Sequence, residues 1–159
     1  METLRNFGFL LKDVSRLYSK NFERHAARYD LTLTECRALT HLARNQGASQ
    51  ARLAYLTETD PMTLGRILRR MEASGLVERR PDPEDRRART LYLRAPAAPL
   101  LKSIRRLGNI ALAEALGDLA ASDKATLMRL MNAIHGRLDA LVPGVADRAG
   151  TPRRRKARP

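Results

Sequence analysis

A strip of cationic and hydroxyl side chains between residues 61 and 74 is the part of this chain best equipped to do chemistry. The segment reads PMTLGRILRRMEAS. Thr63, Arg66 and Arg70 recur at three- and four-residue spacing, so a helix would present them on one face with Arg69 beside them. A guanidinium on such a face reaches phosphates, and it pairs with O6 and N7 of guanine in a major groove. Arg66, nearer the start of the segment, is the expected base contact. Arg70 is expected to meet phosphate or an acid of the chain itself. For Arg69 and Arg70 a solvated cationic face is an equal expectation.

A second cluster follows at Asp82 to Arg89, DPEDRRAR. A projecting arginine can enter a minor groove, whose narrow negative potential attracts a guanidinium. Arg86 and Arg87 are the candidates, with Arg89 next to them. Asp85 is expected to orient this tip by accepting from backbone N–H groups or a neighbouring guanidinium, and Asp60 to give similar support from the helix start. Nine arginines and five acids lie between Met62 and Arg94, so the acids read as internal partners that hold the arginines in shape.

Other chemistry finds little support. His25, His41 and His135 have no metal-ligand spacing with one another or with Cys36, the single cysteine, which also excludes an intramolecular disulfide. Cys36 reads as a buried small hydrophobe. No glycine-rich phosphate loop, nucleophile or paired carboxylate is recognisable, so neither an enzyme nor a cofactor is expected.

Charge points the same way as the arginines. The 159 residues carry 30 Lys+Arg against 17 Asp+Glu, a formal net charge of +13, which implies a polyanionic partner: nucleic acid or an anionic membrane surface. Six of the cations sit in an acid-free stretch from Arg148 to Pro159, yet the remainder is still basic. Twenty-five of the thirty are arginine, the side chain suited to bidentate contacts, although a GC-rich coding sequence gives the same bias. METLRNFGFLLKD is not a signal peptide, and no apolar run approaches a membrane span, so a cytoplasmic protein without membrane attachment is expected.

The elements that would position these residues can be read from capping and periodicity. Thr32 with Glu35 forms a capping box that opens a helix through Cys36, Leu39 and Leu42, ending near Gly47. Ser49 caps the next helix, and Asp60 followed by Pro61 opens a third that stops at Ser74-Gly75. The period then changes to two short strands, Leu76 to Arg80 and Arg89 to Arg94, around a charged tip interrupted by Pro81 and Pro83. An alanine-rich helix from about Ala97 to Ala121 starts in the region of Pro99. Two amphipathic helices flank the chain: Leu4 to about Arg28, and one from Ser122-Asp123 to Pro143-Gly144 with Leu127, Met131, Ile134, Leu138 and Leu141 in phase. In the first, Leu10, Leu17 and Phe22 widen the stripe beyond what a single globular face needs, which suggests a partner subunit; packing of both helices on one monomer is the alternative. The tail TPRRRKARP has the composition of a disordered segment.

This order is a winged helix-turn-helix, and Leu31 to Leu93 resembles the MarR family of transcriptional regulators, SlyA-like members in particular. The resemblance rests on LTLTECRALTHLARNQGASQARLA, DPMTLGRILRRMEASGLVERR, and PDPEDRRAR followed by LYL. It implies a mainly α fold with a two-stranded wing and terminal dimerisation helices. The division expected is a dimerisation helix at 1–30, a DNA-binding lobe at 31–95, linker and dimerisation helices at 96–145 and a basic tail at 146–159. It further implies an obligate homodimer on a pseudo-palindromic operator in double-stranded DNA, with Thr63 and Arg66 on the recognition-helix contacts, Arg86 and Arg87 on the wing tip and Asp85 on the acid of that motif. Many members release DNA in response to a small aromatic acid or an oxidant. A pocket between the dimer helices and the DNA-binding lobe, with Arg16, Tyr18 and His41 as candidates, would serve the first; peroxide-sensing members carry their cysteine in the first helix, unlike Cys36.

Three departures stand out: Arg69 where the family has Asp, Gly65 inside the recognition helix at a cost of about 1 kcal/mol relative to alanine, and Arg94-Ala95-Pro96 before the next helix. Two other readings stay open. One is an architectural or protein-interaction module that binds nucleic acid without sequence preference; the other is a small-molecule or redox sensor whose DNA binding is secondary.

Overall fold

The computed structural model describes residues 6–29, 31–82, 85 and 88–142. Six α-helices and three short strands follow one another as α1 (Phe7–Ala26), α2 (Leu33–Arg44), β1 (Ala48–Ser49), α3 (Gln50–Leu56), α4 (Pro61–Ala73), β2 (Val77–Pro81), β3 (Arg89–Leu93), α5 (Ala97–Leu116) and α6 (Ala121–Leu141). This is the mainly helical winged helix-turn-helix that the sequence implies, with β2 and β3 forming the wing. A short third strand adds to it, giving an antiparallel sheet ordered β1-β3-β2. Ala48 and Ser49 pair with Leu91 and Thr90, so the residues just before α3 also close the sheet edge.

The expected caps are present. Thr32 Oγ1 accepts from Glu35 N while the Glu35 carboxylate accepts from Thr32 N at 2.9 Å, the reciprocal pair of a capping box. Ser49 Oγ accepts from Arg52 N at 3.1 Å. The turn between α3 and α4 closes with Glu58 N on Tyr55 O and Thr59 N on Ala54 O. Glu58 itself adopts φ +50, a left-handed conformation that costs a non-glycine residue about 1 kcal/mol. α5 begins at Ala97, two residues ahead of Pro99; within the first turn a missing N–H removes no helical bond.

The core lies inside the lobe. Leu39, Leu42, Leu53, Leu64, Leu68, Val77 and Leu91 are fully buried and bring α2, α3, α4 and the sheet together. Phe22 and Ala26 of α1 join Ile104, Leu107 and Ala111 of α5 at its margin. Beyond that margin burial stops. Phe9 is 81% exposed, Leu10 and Leu17 are exposed, and none of the side chains of α6 is buried. Among the described residues, no helix is long and apolar enough to cross a membrane.

Candidate nucleic-acid interface

The arginine-bearing helix is α4, and both of its ends are fixed locally. At the start, the Asp60 carboxylate accepts from Met62 N and Thr63 N, each at 3.0 Å, with Pro61 in the first turn. At the end, Gly75 takes φ +70, its N–H bonds Glu72 O, and Leu76 N bonds Met71 O, which is the double closure of a Schellman motif. Asp60 is thus the N-cap of α4 that the Asp60-Pro61 pair implies. α4 buries Leu64, Gly65, Leu68 and Met71 and exposes Met62, Arg66, Arg69 and Arg70, with Thr63 half-buried. Among the described residues, no acid pairs with Arg66 or Arg69.

Arg70 is engaged differently. Its Nη2 donates to Glu35 Oε1, the acid partner foreseen as one of its two options. The Glu35 side chain is only 7% exposed, and it also accepts from Thr32 N and Thr32 Oγ1. A buried carboxylate needs such a set of donors, because each missing one leaves charge uncompensated in a poorly solvated place. The capping acid of α2 thus fastens the recognition helix to its neighbour.

A second fastening has no signal in the sequence apart from Gly65. Gln50 Nε2 donates to Pro61 O at 3.1 Å, and Gln50 Oε1 accepts from Arg79 Nη2 at 3.2 Å. A Cβ on residue 65 would stand 2.9 Å from Gln50 Nε2, so glycine at this point leaves room for the Gln50 amide to lie against α4. Arg79 also lies 3.5 Å from Glu72, which ties β2 to the end of α4.

The wing is paired from Val77 opposite Leu93 to Pro81 opposite Arg89. Proline at the end of β2, an edge strand, has no N–H to withhold from a neighbour. Arg80 stacks over Tyr92 at 4.3 Å from the ring centre and pairs with Glu78, which also lies 3.8 Å from Arg94. Arg89 is exposed at the start of β3. Asp85 is exposed, and its carbonyl accepts from Ala88 N at 2.9 Å within the tip. Arg86 and Arg87 lie outside the described residues.

A cavity of about 580 Å³ opens between α1, α2 and α5. Tyr18 and His41 line it, as does Cys36, together with Arg37, Arg44 and Arg105; among the described residues no acid is in the lining. Arg16 is not in this lining: it forms an ion pair with Asp13 at 2.8 Å on the exposed surface of α1. Burial, reinforced by Arg44 and Arg37, lowers the His41 pKa and favours the neutral ring. Burial pushes the Cys36 thiol up to about 11, the opposite of what a reactive thiolate requires.

Sequence and structural comparisons bear on this geometry. The MarR family model matches residues 29–88. The transcriptional regulator HosA of Escherichia coli O111:H- is 31% identical over 115 residues, 69% of this chain and 85% of that protein. The transcriptional repressor NicR of Pseudomonas putida is 28% identical over 124 residues, 78% of each. The crystal structure of the Mycobacterium tuberculosis MarR family protein Rv2887, in complex with salicylic acid, superposes with a TM-score of 0.70 at 26% identity, covering 80% of this chain and 94% of that one. With a capped, arginine-faced recognition helix beside a paired wing, and with these relatives, the chain belongs to the MarR family of DNA-binding transcriptional regulators.

Proposed function

We propose that this chain is a homodimeric repressor that binds a pseudo-palindromic operator and releases it when a small aromatic acid occupies the cavity between α1, α2 and α5. The observation that carries the operator reading is Arg66, exposed and unpaired among the described residues on a helix whose two ends are locked. Arg70 is held by Glu35, so Arg66 and Arg69 are the guanidiniums of α4 left to seek DNA, Arg66 nearer the helix start, with Thr63 beside them and Arg86, Arg87 and Arg89 for the minor groove. Dimerisation is supported by the apolar faces of α1 and α6 left in solvent, at Leu10, Leu17, Leu138 and Leu141 among others. Residues 1–30 and 96–145 are the segments assigned to it. NicR, a repressor, supports the sign of the regulation.

The experiment is a titration of the parent, Arg66→Ala and Arg87→Ala against a palindrome from the protein's own promoter over a series of salt concentrations. The parent's affinity should fall steeply with salt as counterions are released, and both variants should bind more weakly. Equal binding by all three at moderate salt would sink the mechanism. Equal competition by bulk genomic DNA would favour an architectural module instead.

The effector reading rests on the cavity and its cationic lining at Arg37, Arg44 and Arg105, where a carboxylate finds donors and a ring finds Tyr18 and Phe22. Rv2887 was solved with salicylic acid, which makes salicylate the first probe. Coupling must be reciprocal, so operator DNA should weaken salicylate binding by the factor by which salicylate weakens operator binding.

A further inference from the structure

The DNA-facing side of α4 carries one large apolar side chain that the operator reading leaves without a task. Met62 is 84% exposed, more than any other large hydrophobic residue among those described. It stands in the first turn of the recognition helix, the part that helix-turn-helix proteins lay against base edges. Its neighbours on the exposed face, Arg66, Arg69 and Arg70, are all cationic. Beside it lies an open recess of about 300 Å³ formed by Gln50, Pro61, Met62, Gly65 and Arg69. Gly65 contributes no side chain to this recess, and Gln50 already occupies the place a Cβ would need.

We propose that Met62 and this recess read the 5-methyl group of a pyrimidine in the major groove. The inference rests on the operator reading and adds a specificity determinant to it. The ordinary major-groove edge displays one apolar group, the methyl of thymine, and apolar side chains contact it; 5-methylcytosine offers the same group at the same place. The thioether stem and the Pro61 ring supply the apolar walls, and a flexible methionine can close over a methyl without a preset shape. Arg69 borders the recess with donors for the polar edge of the adjoining base. Met62 precedes Arg66 by four residues, about 6 Å of helix rise. The methyl therefore sits one or two base pairs, at about 3.4 Å each, from the guanine that Arg66 contacts.

The test starts from sites that the full-length protein selects out of a randomised duplex pool. Each thymine of a selected site is replaced in turn by deoxyuridine, which removes only the methyl. The parent should lose about three- to fivefold in affinity at one position per half-site, the scale of a single buried methyl. Met62→Ala should bind thymine and uracil forms equally, whereas Met62→Leu should keep the preference. In a further arm that position carries cytosine or 5-methylcytosine. Tighter binding of the methylated base assigns the contact to the methyl itself, and whichever of thymine and 5-methylcytosine binds better is the natural source. Indifference of the parent to every uracil substitution overturns the proposal, as does an undiminished uracil penalty in Met62→Ala. A protein that selects no sequence at all overturns the operator reading, and this inference falls with it.

Discussion

The helices of the lobe and the helices that flank it are built on different principles. α2, α3 and α4 each begin at a side chain that accepts from the helix's own N–H groups, Thr32, Ser49 and Asp60 respectively. α1, α5 and α6 begin without any such bond. Burial divides the same way: α4 hides four residues in thirteen, and α6 hides none in twenty-one. A short helix that must aim an arginine within a fraction of an ångström needs its start, end and roll fixed by neighbours in sequence. A long helix whose apolar face lies open depends on what packs against that face more than on its own ends, and nothing local needs to define them.

The sharpest way to break this contrast is to charge the uncovered face. Met131→Glu with Leu138→Glu should shift the protein from dimer to monomer in sedimentation and weaken operator binding at least about 30-fold, the scale of losing central interface residues. The far-UV circular dichroism of the variant should remain that of a folded, mainly helical protein. Next in size is a contrast within α4. Arg66→Ala should cost about 10- to 100-fold in operator affinity with the urea midpoint unchanged. Arg70→Ala should instead lower stability by roughly 1.5–3 kcal/mol in urea, because Glu35 is left buried without its cation. Smaller again, Asp60→Ala should destabilise the protein by about 1 kcal/mol. The smallest change runs the other way. Ala120 already has the extended conformation of an N-cap, at φ −62 and ψ 154, but lacks an acceptor. Ala120→Ser should therefore add about 0.5 kcal/mol to stability and leave operator affinity alone.

The division also explains what could be read from the sequence. Caps and breakers are local, so Thr32 with Glu35, Ser49 and Asp60-Pro61 mark the starts of the lobe's helices and Gly75 the end of α4, whereas α2 stops at Arg44, three residues short of Gly47. Interactions between elements left fainter marks. β1 is two residues long and has no periodicity of its own; it exists because Leu91 and Thr90 offer an open edge. Gln50 gives no hint that it bridges Pro61 and Arg79, since its role follows from the approach that Gly65 permits. The cavity shows the same boundary. Tyr18 and His41 line it, whereas Arg16, two residues before Tyr18 on α1, points elsewhere, toward Asp13. Helical phase separates such neighbours only when the packing partner is known.

Glu35 has a consequence for how this sequence can change. One carboxylate serves the turn before α2 through Thr32 and the recognition helix through Arg70. Positions 32, 35 and 70 are therefore a single coupled unit spread over 39 residues. Substitutions among them will not add: once Glu35 has gone the loss of Arg70 will cost little, whereas Thr32 still caps α2 through the N–H of residue 35. A lineage can replace the unit only by passing through a weakened intermediate or by exchanging its members together.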